Sequence, residues 1–130
     1  MTTDETRISS LAHEKLTQEI IGSAFEVHNV LGYGFLERVY QKALQVELVA
    51  RGLKVEIEHP IKVSYKNVAV GDYFADLLVE DTVVVELKVA VEYNPKDEAQ
   101  LLNELRATGK KIGLLINFGR TKVSFKRLAY

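Results

Sequence analysis

Cysteine is absent from the 130 residues, which removes disulfides, thiolate nucleophiles, iron–sulfur clusters and cysteine-ligated zinc together. The same absence leaves the redox compartment unread. Proline and glycine are scarce, at 2 and 8 residues, so the chain is neither collagen-like nor a low-complexity disordered segment. No run of about 18 apolar residues occurs, and no apolar stretch follows the polar start MTTDETRISS. A soluble, unexported, cytoplasmic protein with no membrane partner is expected. What is there is 47% apolar and 27% charged, a globular balance whose length suits one core. With no repeat and no linker, the expectation is a flexible tail over residues 1–10 and a single domain over residues 11–130.

Charge is unevenly placed. The formal net charge is -1, yet the stretch from Leu105 to Tyr130 carries seven basic residues and no acidic one. The first 104 residues therefore hold 10 basic groups (17 minus 7) against all 18 acidic ones, a balance of -8. Such a split suits a cation site in the acidic body and a polyanion surface in the basic quarter, where Lys110, Lys111, Lys122 and Lys126 are the candidates. A plain solvated charge surface is the alternative.

Hydrophobic periodicity sets the element order. Leu16, Ile20, Ile21, Ala24, Val27, His28 and Leu31 recur at helical spacing and Gly32 follows, which predicts a helix from about Leu11 to Leu31. A second helix is expected from Phe35 to Arg51, stopped by Gly52. Alternation at Leu53, Val55, Ile57, Ile61, Val63 and Tyr65 predicts a strand bent or edge-like at Pro60. Lys66-Asn67 reads as a turn, and Val68 to Val79 as one or two strands interrupted near Gly71-Asp72. TVVVELKVAV, from Thr82 to Val91, is β-branched and nearly unbroken, as a central strand should be. Asn94-Pro95 opens a third helix that Gly109 closes, and strands follow at Lys111 to Asn117 and Thr121 to Leu128. The order α-α-β-β-β-β-α-β-β makes an α/β (α+β) domain with a mixed sheet flanked by helices.

Glu86 sits inside the central strand, where an unpaired carboxylate would cost several kcal/mol. Lys88, two residues on, shares its face, so a simple Glu86–Lys88 pair is one explanation. Asp76, in the preceding strand, adds a second acid. Its position depends on the connection: a two-residue Glu80-Asp81 turn would separate the carboxylates, whereas a three-residue loop pairs Val79 with Val83 and sets Asp76 against Glu86. The odd loop is expected. Facing carboxylates repel, and a hard divalent cation resolves the repulsion with oxygen ligands, which points to Mg²⁺ or Mn²⁺. Gly32-Tyr33-Gly34 is not a dinucleotide loop, since it follows a helix and has Glu37 where a third glycine belongs. Glu37 stands instead in a first helical turn, where the dipole favours an acid, with Tyr40 on the same side. His13, His28 and His59 have no metal-ligand spacing, and His28 on the inner stripe reads as a hydrogen-bonded core residue.

Gly34-Phe35-Leu36-Glu37-Arg38-Val39-Tyr40 matches the signature GxxExxY, and Asp76, Glu86-Leu87-Lys88 and Ala99-Gln100-Leu101-Leu102-Asn103 follow in that family's order. The chain resembles the GxxExxY family from about Leu16 to Arg127, and through it the PD-(D/E)XK nuclease-like superfamily. The resemblance implies a restriction-endonuclease-like α-β-β-β-α-β core and Mg²⁺-dependent cleavage of phosphodiesters in DNA or RNA. It further implies metal ligation by Asp76, Glu86 and the Leu87 backbone carbonyl, a second metal or metal-bound water at Glu37, and Lys88 acting on the attacking water or the phosphorane. Gln100 would brace the site. The charge distribution, separately, makes Lys110, Lys111 and Lys122 the candidates to meet the substrate, with Tyr40 a further candidate whose alternative is the core. Ala75 stands where relatives place a proline, and Asp97-Glu98 and Glu104 where many have a histidine and a tyrosine. A non-catalytic module binding nucleic acid or protein on the same fold is the competing function, and a homodimer is left open.

Overall fold

A computed structural model describes residues 3–130, with the side chains of residues 3–10 and 12 outside the description. The order is α1 (Thr3–Leu31), α2 (Glu37–Ala50), β1 (Val55–Tyr65), β2 (Val68–Val79), β3 (Val83–Lys88), α3 (Pro95–Thr108), β4 (Ile112–Phe118) and β5 (Val123–Ala129). The segment expected as a tail falls partly outside the described residues, at 1–2, and helix α1 begins at Thr3. Three strands precede α3, where four were expected. The irregularity at Gly71 is a register shift opposite Val63/Ser64, which the hairpin absorbs without ending either strand.

One mixed sheet has the order β1-β2-β3-β4-β5, antiparallel except for β3 and β4, which α3 joins in parallel. The long β1–β2 hairpin closes on Lys66-Asn67, both at positive φ, the two-residue geometry that matches strand twist. Helix α3 starts on Asn94, whose side chain accepts the Lys96 N–H at 3.0 Å, and ends on left-handed Gly109.

The sheet divides two cores. Helices α1 and α2 cover one face, burying Ile20, Tyr40, Leu44 and Leu48 against Leu77, Val85, Leu87, Ile116 and Phe118. Helix α3 covers the other, where Leu101 and Leu105 meet Ile61, Ala75, Val84 and Leu115. Each fully buried leucine or isoleucine contributes about 1.5–3 kcal/mol. Strand β3 alternates between the cores: Val83, Val85 and Leu87 face the first, Val84 the second. Glu86 and Lys88 therefore project on the α3 side. Close approach of α3 requires Gly113, where a Cβ would stand 3.0 Å from Leu101. His28 is a bonded histidine as expected, its Nε2 lying 2.8 Å from the Gly119 carbonyl.

Candidate active site

Asp76 occupies a break in the sheet. The β1–β2 ladder pairs Ile57 with Leu77 and His59 with Ala75 and skips Glu58 and Asp76 between them. Glu58 is left-handed, at φ 54, an uncommon conformation for a residue with a side chain. The kink turns the hairpin over: Ile57 packs with the α1/α2 core and Ile61, four residues on, with the α3 core. On its other edge β2 pairs Val79 with Val83 and Leu77 with Val85, the register of the three-residue loop, and then leaves β3.

The backbone groups freed at this divergence are taken by site residues. Asp76 Oδ2 accepts the Leu87 N–H at 2.7 Å. The Leu87 carbonyl points to the same side as its N–H, into the opening beside Asp76, because the two groups of one strand residue project together. Gln41 Nε2 donates to the Asp76 carbonyl at 2.9 Å. Sequence reasoning passed over Gln41, although it stands four residues after Glu37 on the same side of α2, the spacing that brings helical side chains together. Beyond Lys88, Asn117 clamps the chain through Ala90, accepting its N–H at 2.8 Å and donating to its carbonyl at 3.0 Å.

Glu86 is buried and faces α3, and its Oε1 has no hydrogen-bond partner. Burial first, then a hydrogen bond to Glu104, then the Asp76 charge push its pKa up to about 11. A hydrogen bond between two carboxyls needs one proton, and without a cation Glu86 keeps it. Glu104 is itself buried, with Oε2 unpartnered, and Oε1 accepts from Gln100 Nε2 at 3.2 Å. Gln100 thus braces Glu104. The prior signal for Glu104 was its place between Leu101 and Leu105 on the buried stripe of α3.

Glu37, in the first turn of α2, is half-buried, which raises its pKa from the ordinary value. Lys88 opposes that rise, while the charges of Asp76 and Asp97 add to it. Lys88 Nζ lies 3.7 Å from Asp97 Oδ1. So α2, β2, β3 and α3 bring Glu37, Asp76, Glu86, Lys88, Gln100, Asp97 and Glu104 to one end of the sheet. The unpartnered Glu86 oxygen, within the field of the Asp76 carboxylate, is a hard oxygen donor of the kind a divalent cation takes. Among the described residues, no three Asp, Glu or His side chains close a cage by themselves, so such an ion would keep water in its shell.

Two expectations for the substrate are corrected. Tyr40 is fully buried, stacked on Phe118 at 4.4 Å, with its hydroxyl donating to the Gly32 carbonyl at 2.5 Å. It anchors the turn before Glu37 and has no surface for a substrate. Lys110 and Lys111 precede β4, at the end of the sheet away from Lys88, whose partner on β4 is Asn117. The strand between them spans roughly 20 Å at about 3.3 Å per residue. Lys110 pairs there with Asp81 at 3.1 Å, and Lys111 lies over the Tyr130 ring. Lys122, in the β4–β5 turn, is at the site's end of the sheet.

The profile of the PD-(D/E)XK nuclease superfamily (PDDEXK_3) matches residues 14–128. Among solved structures, that of SSO0001 superposes with a TM-score of 0.58 at 14% identity, covering 72% of this chain and 50% of its own. The chain thus spans about half the length of that protein. An alkaline exonuclease (LHK-Exo) from Laribacter hongkongensis gives a TM-score of 0.48 at 13% identity, with 86% of this chain and 81% of that one covered. No curated protein matches the chain by sequence. The restriction-endonuclease-like core, the ordered acids and the profile over most of the length agree, and the chain belongs to the PD-(D/E)XK nuclease superfamily.

Proposed function

We propose that this chain hydrolyses phosphodiester bonds in DNA or RNA with Mg²⁺ or Mn²⁺ held by Asp76, Glu86 and the Leu87 carbonyl, and by Glu37 directly or through water. The observation that carries the proposal is Glu86: a buried acid with an unpartnered oxygen, facing a second buried acid, is stabilised by a cation or by a proton. The assignment to the GxxExxY branch, carried by Gly34, Glu37 and Tyr40, and a cytoplasmic location belong to the same proposal.

A bound divalent ion would polarise the phosphoryl oxygen and lower the pKa of water. The protein's own residues do the rest. Asp76 is fixed from both ends, by Gln41 at its carbonyl and by the Leu87 N–H at its carboxylate, so it meets its ligand with little reorganisation. Lys88 orients the attacking water and stabilises the negative charge that grows on the phosphoryl oxygens. The water oxygen bonds to phosphorus and gives up one proton to solvent as the bond to the leaving oxygen breaks, and that oxygen takes up a proton from solvent. Asp97 holds Lys88 Nζ on the α3 side, and Gln100 holds Glu104 against Glu86.

The test compares melting in EDTA and in Mg²⁺ for wild type and Asp76→Asn, alongside cleavage of labelled single- and double-stranded substrates. Mg²⁺ should stabilise wild type by about 1–3 kcal/mol at roughly 10 to 100 times Kd, and Asp76→Asn should lose the gain. Lys88→Ala should keep it and cut more slowly by on the order of 100-fold. Equal melting of wild type in EDTA and in Mg²⁺, with no cleavage, would leave the non-catalytic module, the reading that the Lys88–Asp97 ion pair favours.

A further inference from the structure

Four clefts open around the acid cluster, and each contains a large aromatic side chain left in solvent. Phe74 lies with Glu37 and Asp76, Phe35 with Glu37 and Arg38, Tyr93 with Lys88 and Asp97, and Tyr73 with Gln100 and Glu104. Phe74 and Tyr93 are each 61% exposed, and Tyr73 and Phe35 about half so. Phe74 precedes Ala75 and points away from the α3 core, Tyr93 belongs to the irregular connection before α3 with its hydroxyl donating to Glu98, and Phe35 leans edge-on against Tyr40, which leaves much of each ring in solvent. Burying such rings on a partner is favourable, so their grouping about one site has a ligand-binding meaning.

Charge decides between the ligands that could cover them. A duplex offers only phosphates and groove edges, and its binders rely on many cations. Here the net charge is -1, both cations of the Tyr93 cleft are already engaged, Lys88 with Asp97 and Lys126 with Glu98 at 2.9 Å, and the Phe74 cleft is lined by a single cation, Arg38. Unpaired bases present flat π-faces that a ring can stack on whatever their sequence.

We infer that the substrate is a single strand, or a strand locally unpaired, whose bases stack on Phe74 and Tyr93, with Phe35 extending the platform on the α2 side while the scissile phosphate lies over Asp76 and Glu86. This deepens the proposed function and rests on it for the position of the phosphate. Discrimination then comes from the bases, and little of the affinity from counterion release.

Fluorescence anisotropy in EDTA, which prevents cutting, can compare labelled oligo(dT), an abasic strand of equal length and a duplex of equal length. Oligo(dT) should bind at least about 10-fold more tightly than either, since each stack is worth roughly 5- to 100-fold. Phe74→Ala and Tyr93→Ala should each weaken oligo(dT) by such a factor and leave the abasic strand unchanged. Phe74→Trp should restore binding, and Phe74→Leu, which keeps an apolar side chain without a ring, should not. Equal affinity for oligo(dT) and the abasic strand, or preference for the duplex, overturns the inference. So does sedimentation showing that both alanine variants split a dimer without changing oligo(dT) affinity, because the rings then meet a second copy of the chain. The Mg²⁺ melting shift separates the two proposals: a shift without base dependence sinks only the stacking, and base dependence without a shift sinks only the cleavage.

Discussion

At the scale of the residue, the site stores a proton. Folded Glu86 keeps its proton to about pH 11, while the unfolded chain releases it near 4.5. Between those limits the folded state binds more protons, so the stabilisation is complete below about pH 4.5 and drains as pH rises towards the folded value. The slope is at most about 1.4 kcal/mol per pH unit. In EDTA the melting temperature should fall from about pH 5 to about pH 8, and a flat profile would contradict the buried, protonated acid. Glu86→Gln, which deletes the ionisation and keeps the shape, should melt at or above wild type at about pH 8, lose that slope and gain nothing from Mg²⁺. If Glu86 served only to balance Lys88, the substitution would strand an ammonium and lower the melting temperature.

At the scale of the element, chemistry depends on how closely α3 sits on the sheet. Glu86 can face Glu104 only because Gly113 lets Leu101 down onto β4. Gly113→Ala should cost about 1–3 kcal/mol by overpacking, seen as a lowered denaturation midpoint, and should slow cleavage even under conditions where the variant is folded. Unchanged stability would show that α3 can lift without penalty. Most of this level was legible beforehand. The caps of α3 and the Lys66-Asn67 turn follow from local rules about Asn, Pro and Gly, which act over a few residues, while the Val79–Val83 register follows from the need of Asp76 and Glu86 to converge. What escaped depends on tertiary partners: Gly71 looked like a strand end because only the opposite strand reveals a bulge, and Tyr40 looked available because its contact with Phe118 joins residues far apart in sequence. Glu104 was visible as an acid on an apolar stripe, but its role requires Glu86 across the interface.

At the scale of the whole molecule, the basic C-terminal quarter is one region in sequence and two in space. Lys110 and Lys111 lie at the far end of β4, Lys122 at the site end. Lys110→Gln with Lys111→Gln should leave the salt dependence of oligonucleotide binding unchanged, whereas Lys122→Gln should lower the log–log slope by roughly 0.9 if it meets one phosphate. Titrations at several salt concentrations read both, and an effect confined to the Lys110/Lys111 pair would move the binding surface away from the acids. Linear charge counting could not foresee this, since a strand crossing the sheet carries neighbouring residues to opposite ends.

The connection Glu80-Asp81-Thr82 has a consequence for how the chain tolerates changes in its own length. Deleting any one of its three residues would shift β2 against β3 by a single position and exchange the faces of Leu77, Leu78 and Val79, sending Leu77 towards α3 and Leu78 towards α2. Lengthening the Lys66-Asn67 tip moves no residue of the acid cluster. Insertions should accumulate at one end of β2 and be purged at the other, so a strand of 12 residues has a permissive end and a forbidden one.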